Sequence, residues 1–249
     1  MPAPVITLLT DFGTADGYVG EMKGVLASLA PDASVVDISH DIPPQDIVRA
    51  RLTVSRYWRR FPRGTVHVVV VDPGVGTPRA ALAVHADGRF LVGPDNGVLS
   101  AAIGVGAAEV VELDVPGGAS PTFHGRDVFA PTAARLSRGE PLEILGRRHR
   151  SSVVMYTPVP VREDGRVRGE IISIDRFGNA ITNLDATDAA TLHVAGQVVP
   201  VVRTFADVDV GLGCALVGSA GLVEVAVRDG SAAEAMALRV GMAVEVLEG

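Results

Sequence analysis

Short apolar runs alternate with amphipathic stretches of helical length over the first third of the chain. The runs are rich in Val and Ile, and the stretches between them repeat their apolar positions at helical spacing. The pattern predicts strands at residues 5–9, 34–38 and 66–71 and helices at residues 18–30 and 46–61. Such alternation is typical of a parallel sheet covered by helices. We therefore expect an α/β fold with a Rossmann-like, mostly parallel sheet in this part of the chain.

The pattern changes near residue 150. From residue 153 onward, glycine turns separate short apolar runs, and no long helical pattern lies between them. The predicted strands of this part are residues 169–174, 197–203, 222–227 and 242–247. They favour a small antiparallel β-barrel. We expect two domains, an N-terminal α/β domain at residues 1–150 and a C-terminal barrel domain at residues 151–249.

Composition excludes several classes of protein. The net charge of −7 argues against a nucleic-acid binder that works by neutralising phosphates. No apolar run reaches the ~18 residues that a membrane-spanning helix needs, and no secretory leader is expected at the N-terminus. The single cysteine, Cys214, rules out a disulfide within the chain and a thiolate zinc cluster. We expect a cytoplasmic protein that uses neither a membrane nor nucleic acid as a partner.

Two aspartates follow predicted strands directly. Asp72 ends the run at residues 66–71 and is followed by a Pro-Gly turn and by Arg79, and Asp11 follows the first strand. Ligands of open α/β sheets bind beyond the carboxyl ends of the strands, and a carboxylate there can hold a ribose diol. The alternatives are that Asp72 caps a turn, that Arg79 is a surface charge, and that Asp11 caps a helix. The glycines after Asp11 lack the dinucleotide-binding spacing, so no nicotinamide or flavin cofactor is expected.

Two of the six histidines lie in loops that can face a cleft. His124 stands in Phe-His-Gly-Arg-Asp before a predicted helix, and His40 follows a predicted strand. If His124 approaches Asp72 and Arg79, the three side chains form a charge-balanced group around a small polar guest such as water. His40 is the competing candidate, and most histidines are structural. No cluster of ligands has the spacing of a metal site, so no metal is expected.

Two stretches of the second domain can form pocket walls. Asp175, Phe177 and Asn179 lie within five positions and can offer a carboxylate, an aromatic face and an amide, although a strand and turn with Phe177 in the core is the simpler interpretation. Residues 218–232 form a predicted strand between two glycine-rich turns. Amide groups in such turns can bind an adenine edge or a carboxylate, but most such turns only reverse the chain.

Six motifs in order make the chain resemble the SAM hydroxide adenosyltransferases, the non-halogenating relatives of the SAM-dependent fluorinase and chlorinase. The resemblance runs from about residue 5 to residue 246. The motifs are T-D-F-G at 10–13, V-V-D-P-G-V-G-x-x-R at 70–79, G-P-D-N-G at 93–97, F-H-G-R-D-x-F-A-P at 123–131, D-x-F-G-N-x-x-T-N at 175–183 and G-S-x-G-L-x-E-x-A-x-x-x-G-S-A at 218–232.

The resemblance implies a reaction and an assembly. Water attacks the 5′ carbon of S-adenosyl-L-methionine (SAM), and adenosine and L-methionine are released without a cofactor. It also implies a homotrimer that binds SAM between the N-terminal domain of one subunit and the C-terminal domain of the next. The family's water-activating triad matches Asp72, Arg79 and His124.

The resemblance further implies the substrate contacts. Asp11 matches the position that holds the ribose hydroxyls, and Asp175 the position that holds the methionine ammonium. Phe177 and Asn179 match positions that contact the adenosine, and Ser219 matches a position that contacts the methionine carboxylate. The backbone from Arg228 to Ala232 matches the segment that contacts the adenine edge.

Two departures from the halogenating relatives favour water as the nucleophile. The fluorinase has a tyrosine where Asp72 stands, and it carries an additional loop for which the ten residues between Arg79 and Phe90 leave no room. A chlorinase-like halide adenosyltransferase is the alternative with the same fold. A protein that binds adenosine or SAM with little turnover is the alternative from another class.

Overall fold

The computed structural model describes residues 3–104, 106–185 and 189–247. The chain forms two compact units, Met1–Met155 and Tyr156–Gly249. The N-terminal unit extends to Met155 rather than to residue 150, because the amides of Val153 and Met155 donate to the side chains of Asp95 and Ser100. None of the described helices is long and apolar enough to cross a membrane.

The N-terminal unit has one seven-stranded sheet with helices on both faces. Its strands are β1 (Val5–Thr10), β2 (Ser34–Ser39), β3 (Val66–Val70), β4 (Ala81–Ala86), β5 (Arg89–Pro94), β6 (Glu109–Leu113) and β7 (Gly146–Arg148). Its helices are α1 (Tyr18–Leu29), α2 (Ile47–Tyr57), α3 (Ser100–Ile103) and α4 (Ala130–Ser137). Single 3-10 turns occupy Trp58–Arg60 and Leu142–Ile144, and a π-helical turn at Gly125–Phe129 leads into α4.

The strand order is β2-β1-β3-β5-β4-β6-β7. The pairs β2/β1, β1/β3 and β3/β5 are parallel, and the three pairs on the other side are antiparallel. The predicted α/β class is confirmed, and the sheet is mixed because the hairpin β4/β5 reverses the chain. Alternate residues of β3 enter two different cores, Val68 with Met22 of α1 and Val69 with Val54 of α2. Burial on both faces explains why valine occupies every position of this strand except that of His67.

The C-terminal unit is an antiparallel barrel-like sheet, as predicted. Its strands are β8 (Val161–Glu163), β9 (Arg166–Ile174), β10 (Ala180–Asp185), β11 (Thr191–Val194), β12 (Gln197–Pro200), β13 (Gly213–Val217), β14 (Leu222–Val227) and β15 (Ala243–Leu247). A 3-10 turn at Phe205–Asp207 and the short helix α5 (Ala232–Ala235) complete its described elements. The order is β12-β11-β15-β9-β10-β14-β13, and β8 pairs with β9. A bridge between Val201 and Ala215 joins the two ends of this order, so the sheet nearly closes on itself.

The register of two central strands positions the candidate site. Strands β1 and β3 are parallel neighbours, and Thr10 of β1 pairs with Val70 of β3. Asp11 directly follows Thr10, and Asp72 stands two positions after Val70. Both carboxylates therefore leave the sheet at the same edge, beyond the carboxyl ends of the strands, where ligands of open α/β sheets bind.

Candidate active site

A tight turn after β3 folds Arg79 back onto Asp72. The amide of Val75 donates to the Asp72 carbonyl at 3.2 Å, and the Thr77 hydroxyl donates to the Gly74 carbonyl at 2.7 Å. The Arg79 guanidinium then binds the Asp72 carboxylate with two donors, Nε to Oδ1 at 2.9 Å and Nη2 to Oδ2. The side chains of Arg79 and Asp72 are only 9% and 5% exposed. This paired arrangement fixes both groups, and Arg79 is not a surface charge.

His124 completes the predicted triad from a second loop. It stands just before the π-helical turn that leads into α4, and its Nδ1 lies 2.9 Å from Nη2 of Arg79. The guanidinium carbon is also 5.5 Å from the centre of the Phe129 ring. The structure therefore brings Asp72, Arg79 and His124 together as one hydrogen-bonded group, although His124 lies 45 positions after Arg79.

Burial and the Arg79 cation favour the neutral form of the His124 ring. Burial lowers its pKa, the adjacent Arg79 cation lowers the pKa further, and the Asp72 and Asp127 carboxylates oppose this shift. Since a guanidinium has donors only, the Nδ1 of His124 must accept the hydrogen bond from Arg79. In the neutral ring the proton is then on Nε2. The resting His124 thus offers an N–H group on the side away from Arg79.

The two loops that carry the triad touch at Gly76. This glycine has φ of +76°, and a Cβ placed on it would lie 2.5 Å from the carbonyl oxygen of Pro121. The left-handed backbone and the close approach both require glycine at this position. Gly76 therefore lets the Asp72–Arg79 turn lie directly against the segment that precedes His124.

Asp11 is held at the same sheet edge by a backbone group. Its Oδ2 accepts a hydrogen bond of 2.8 Å from the backbone N–H of Gln45. Gln45 has a φ of +67°, in the left-handed region. The next residue, Phe12, packs edge to face on Phe123 with ring centres 5.8 Å apart, and Tyr18 packs on both rings. The aromatic cluster thus connects the Asp11 loop with the loop of His124.

His40 belongs to a different network from the triad. Its Nδ1 lies 2.8 Å from the Thr10 hydroxyl, and its Nε2 lies 3.1 Å from Oδ1 of Asp37. Its carbonyl accepts a hydrogen bond of 2.8 Å from the amide of Gly13. These contacts bracket Asp11 on both sides, so His40 supports the Asp11 loop and does not compete with His124.

In the C-terminal unit, Asp175, Phe177 and Asn179 form one turn. Oδ1 of Asp175 accepts hydrogen bonds of 2.9 Å from the amides of Phe177 and Asn179, and its Oδ2 accepts one of 3.1 Å from the Asn179 side chain. The Phe177 side chain is 76% exposed. The interpretation of Phe177 as a core residue is therefore wrong, because the turn directs the ring away from the barrel core.

Ser219, Arg228 and Ala232 lie around strand β14. Ser219 is exposed in the turn between β13 and β14. The Arg228 guanidinium donates to the Val208 carbonyl at 2.7 Å, and the Arg228 amide donates to the Leu212 carbonyl at 3.1 Å. Ala232 is fully buried at the start of α5. The amides of Arg228 and Gly230 thus have partners within the chain, and the turn at Asp229 and Gly230 is exposed.

Comparison with known families decides the identity of the chain. The family model for the SAM hydroxide adenosyltransferase N-terminal domain matches residues 6–146, and the model for the C-terminal domain of the same family matches residues 169–245. The chain belongs to the SAM hydroxide adenosyltransferase family. The predicted resemblance is confirmed, and the two matched ranges lie in the two compact units.

Relatives match this chain over nearly its whole length. The (R)-S-adenosyl-L-methionine hydrolase of Thermus thermophilus is 44% identical over 97% of this chain and 99% of the relative. The crystal structure of an uncharacterized conserved protein from Thermotoga maritima covers 97% of this chain and 99% of its own, with a TM-score of 0.90 and 36% identity. The fluorinase of Actinopolyspora mzabensis is more distant, at 29% identity over 98% of this chain and 97% of the relative.

Sequence reasoning missed two parts of this family member's site. Gln45 acts through its amide, a group that every residue except proline carries, so its identity gave no signal. The cluster of Phe12, Tyr18 and Phe123 could have been suspected from the sequence, since Phe12 lies in the motif at residues 10–13 and Phe123 in the motif at residues 123–131. Among the described residues, no group of three or more His, Cys, Asp or Glu side chains is placed to hold a metal ion.

Proposed function

We propose that this enzyme hydrolyses SAM to adenosine and L-methionine at the group formed by Asp72, Arg79 and His124. The observation that supports it most is the set of hydrogen bonds that joins these three side chains at the carboxyl edge of the sheet. Family membership and a full-length relative named as a SAM hydrolase support the same reaction.

The protonation states assign a role to each member of the triad. Arg79 and His124 both offer N–H groups, and Asp72 is the one member with negative charge and lone pairs to spare. Asp72 therefore accepts the proton of the attacking water. Arg79 and the Nε2–H of His124 orient the water oxygen and stabilise the hydroxide character that develops on it.

The step balances without a metal or a cofactor. The water oxygen forms a bond to the 5′ carbon, the carbon–sulfur bond breaks with its electron pair going to sulfur, and one water proton goes to Asp72. The sulfonium is already a good leaving group, so the protein has to position the nucleophile in line with the bond that breaks. Since the negative nucleophile and the positive sulfonium neutralise each other, a buried site favours the transition state.

The substrate contacts extend the proposal to both units. Asp11 has one carboxylate oxygen bound by Gln45 and binds the ribose hydroxyls with the other. Asp175 binds the methionine ammonium, and the exposed face of Phe177 together with Asn179 binds the adenosine. The remaining assigned contacts are Ser219 with the methionine carboxylate and the backbone from Arg228 to Ala232 with the adenine edge.

Assembly and location complete the proposal. We propose a homotrimer in which the N-terminal unit of one subunit and the C-terminal unit of the next supply these contacts, as the family resemblance implies. Exposed apolar side chains of the C-terminal unit, including Phe205, Val210 and Leu212, are suited to contact with a second copy. SAM is a metabolite of the cell interior, which supports the expected cytoplasmic location.

Product identification tests the reaction against its closest alternative. The protein is incubated with SAM in the presence and absence of chloride, and the nucleoside is identified by mass. We expect adenosine in both reactions. Formation of 5′-chloro-5′-deoxyadenosine would instead support a halide adenosyltransferase, and release of no nucleoside despite tight binding would support a binding protein.

A further inference from the structure

One turn outside the triad holds both ends of the Asp72–Arg79 loop. The turn has the sequence Gly-Pro-Asp-Asn-Gly at residues 93–97 and begins with the last two residues of β5. The Asn96 side chain donates from Nδ2 to the Val71 carbonyl at 2.8 Å, and the Asp95 amide donates to the Ala80 carbonyl at 2.9 Å. Val71 directly precedes Asp72, and Ala80 directly follows Arg79. The turn therefore fixes the loop at its entrance and at its exit.

The exit contact reaches the guanidinium itself. The Ala80 carbonyl also accepts a hydrogen bond of 3.2 Å from Nη1 of Arg79. The guanidinium thus binds Asp72, His124 and a carbonyl whose position the Asp95 amide sets. Movement of this turn would shift Arg79 relative to both of its triad partners.

The turn is itself held firmly. Oδ1 of Asn96 accepts a hydrogen bond of 3.1 Å from the Val98 amide, which orients the Asn96 side chain toward Val71. Oδ1 of Asp95 accepts one of 2.8 Å from the Val153 amide. These contacts come from elements other than the triad loop, so the turn can act as a fixed support for that loop.

We propose that Asn96 is a positioning residue for SAM hydrolysis, which holds the entrance of the Asp72–Arg79 loop so that Asp72, Arg79 and His124 keep the geometry needed to orient water. This inference rests on the proposed function. It assigns Asn96 no contact with SAM. Its loss therefore acts on the chemical step and leaves substrate binding largely unchanged.

Two variants separate positioning from simple capping of the turn. Asn96→Ala removes both side-chain hydrogen bonds. Asn96→Ser keeps an oxygen that can accept from the Val98 amide but is too short to reach the Val71 carbonyl. The matched control is Arg89→Lys at the opposite end of β5, where Arg89 donates to the main-chain carbonyls of Phe61 and Arg59. The control perturbs a buried side-chain to main-chain contact at the end of β5 that pairs with the start of β3, away from the end of β3 that leads to Asp72.

The readouts are kcat, KM for SAM, the pH profile of kcat/KM and the melting temperature. For both Asn96 variants we expect kcat to fall at least about tenfold, because small misplacements of reacting groups are costly, while KM stays within about twofold. The acidic limb of the profile moves to higher pH, because a displaced Arg79 no longer lowers the pKa of His124, whereas the Asp72 and Asp127 carboxylates still raise it. For Arg89→Lys we expect a lower melting temperature with kcat and pH profile unchanged.

The outcomes distinguish this inference from the proposed function. If the wild-type protein releases no adenosine from SAM, the proposed function fails and the role of Asn96 fails with it. If the wild type is active and the Asn96 variants keep its kcat and pH profile, only the positioning role is wrong. Failure of both Asn96 variants to fold, with Arg89→Lys folded, would also contradict it, because Asn96 would then serve stability alone.

Discussion

The two units hold their candidate residues in different ways. In the N-terminal unit, Asp72, Arg79 and His124 bond to one another across two distant loops. In the C-terminal unit, the Asp175 side chain accepts hydrogen bonds from backbone amides of its own turn, and the Arg228 side chain donates to the backbone carbonyl of Val208. We propose that the first arrangement organises groups that react and that the second shapes a surface that binds. We therefore expect changes in the N-terminal unit to lower kcat and changes in the C-terminal unit to raise KM.

Removal of a triad member gives the largest expected effect. Asp72→Asn keeps the shape of the side chain but removes the proposed proton acceptor, and Arg79→Ala removes the group that binds both Asp72 and His124. Each is expected to lower kcat by ~100-fold or more, in line with the loss of a positioned acid–base group. Steady-state kinetics of adenosine release checks this. Turnover unchanged in both variants would contradict the assignment of the chemistry to this unit.

Asp175→Asn tests the expected role of the C-terminal unit in binding SAM. The amide oxygen of Asn can still accept the hydrogen bonds from the backbone amides of Phe177 and Asn179, whereas the negative charge and the hydrogen bond from the Asn179 side chain to Oδ2 are lost. We expect KM for SAM to rise about tenfold with a smaller change in kcat, because a charged hydrogen bond to the ammonium is lost. Asp164→Asn, in an exposed turn of the same unit, is the control. A fall in kcat with KM unchanged would contradict a binding role.

The acidic limb of the pH profile reports on His124. Burial and Arg79 lower its pKa, Asp72 and Asp127 oppose them, and the neutral ring accepts the hydrogen bond from Arg79. Below this lowered pKa the ring is protonated at Nδ1, the hydrogen bond is lost and activity falls. Thus kcat/KM should hold constant down to a pH below the ordinary histidine range and then decline. His124→Gln should lack this limb, and an unchanged limb in that variant would assign it to another group.

His40→Ala gives the smallest expected effect. The substitution removes the contact with Thr10 and loosens the loop of Asp11, but it leaves the triad intact. We expect KM to rise by about fivefold, since one hydrogen bond is worth about 1 kcal/mol. A loss of kcat larger than that of His124→Ala would show that His40 is the histidine that acts on water.

The sequence predicted the parts of this account that depend on chain order and residue type. An apolar strand followed by Asp72, with Arg79 after a Pro-Gly turn, indicated a site at the sheet edge. The resemblance to the family then favoured His124 over His40 as the third member of the triad. The order of pairing was harder to predict, because β5, and not β4, pairs with β3, although β4 comes first along the chain. Backbone donors such as the Gln45 amide could not be predicted, since they depend on φ and not on the side chain.

The position of oxygen incorporation tests the central claim most directly. SAM is incubated with the protein in water labelled with oxygen-18, and the adenosine and methionine are analysed by mass. Attack of water on the 5′ carbon predicts one labelled oxygen in the 5′-hydroxyl of adenosine and none in methionine. Adenosine without the label, formed in labelled water by the active enzyme, would contradict the claim that the triad directs water to that carbon.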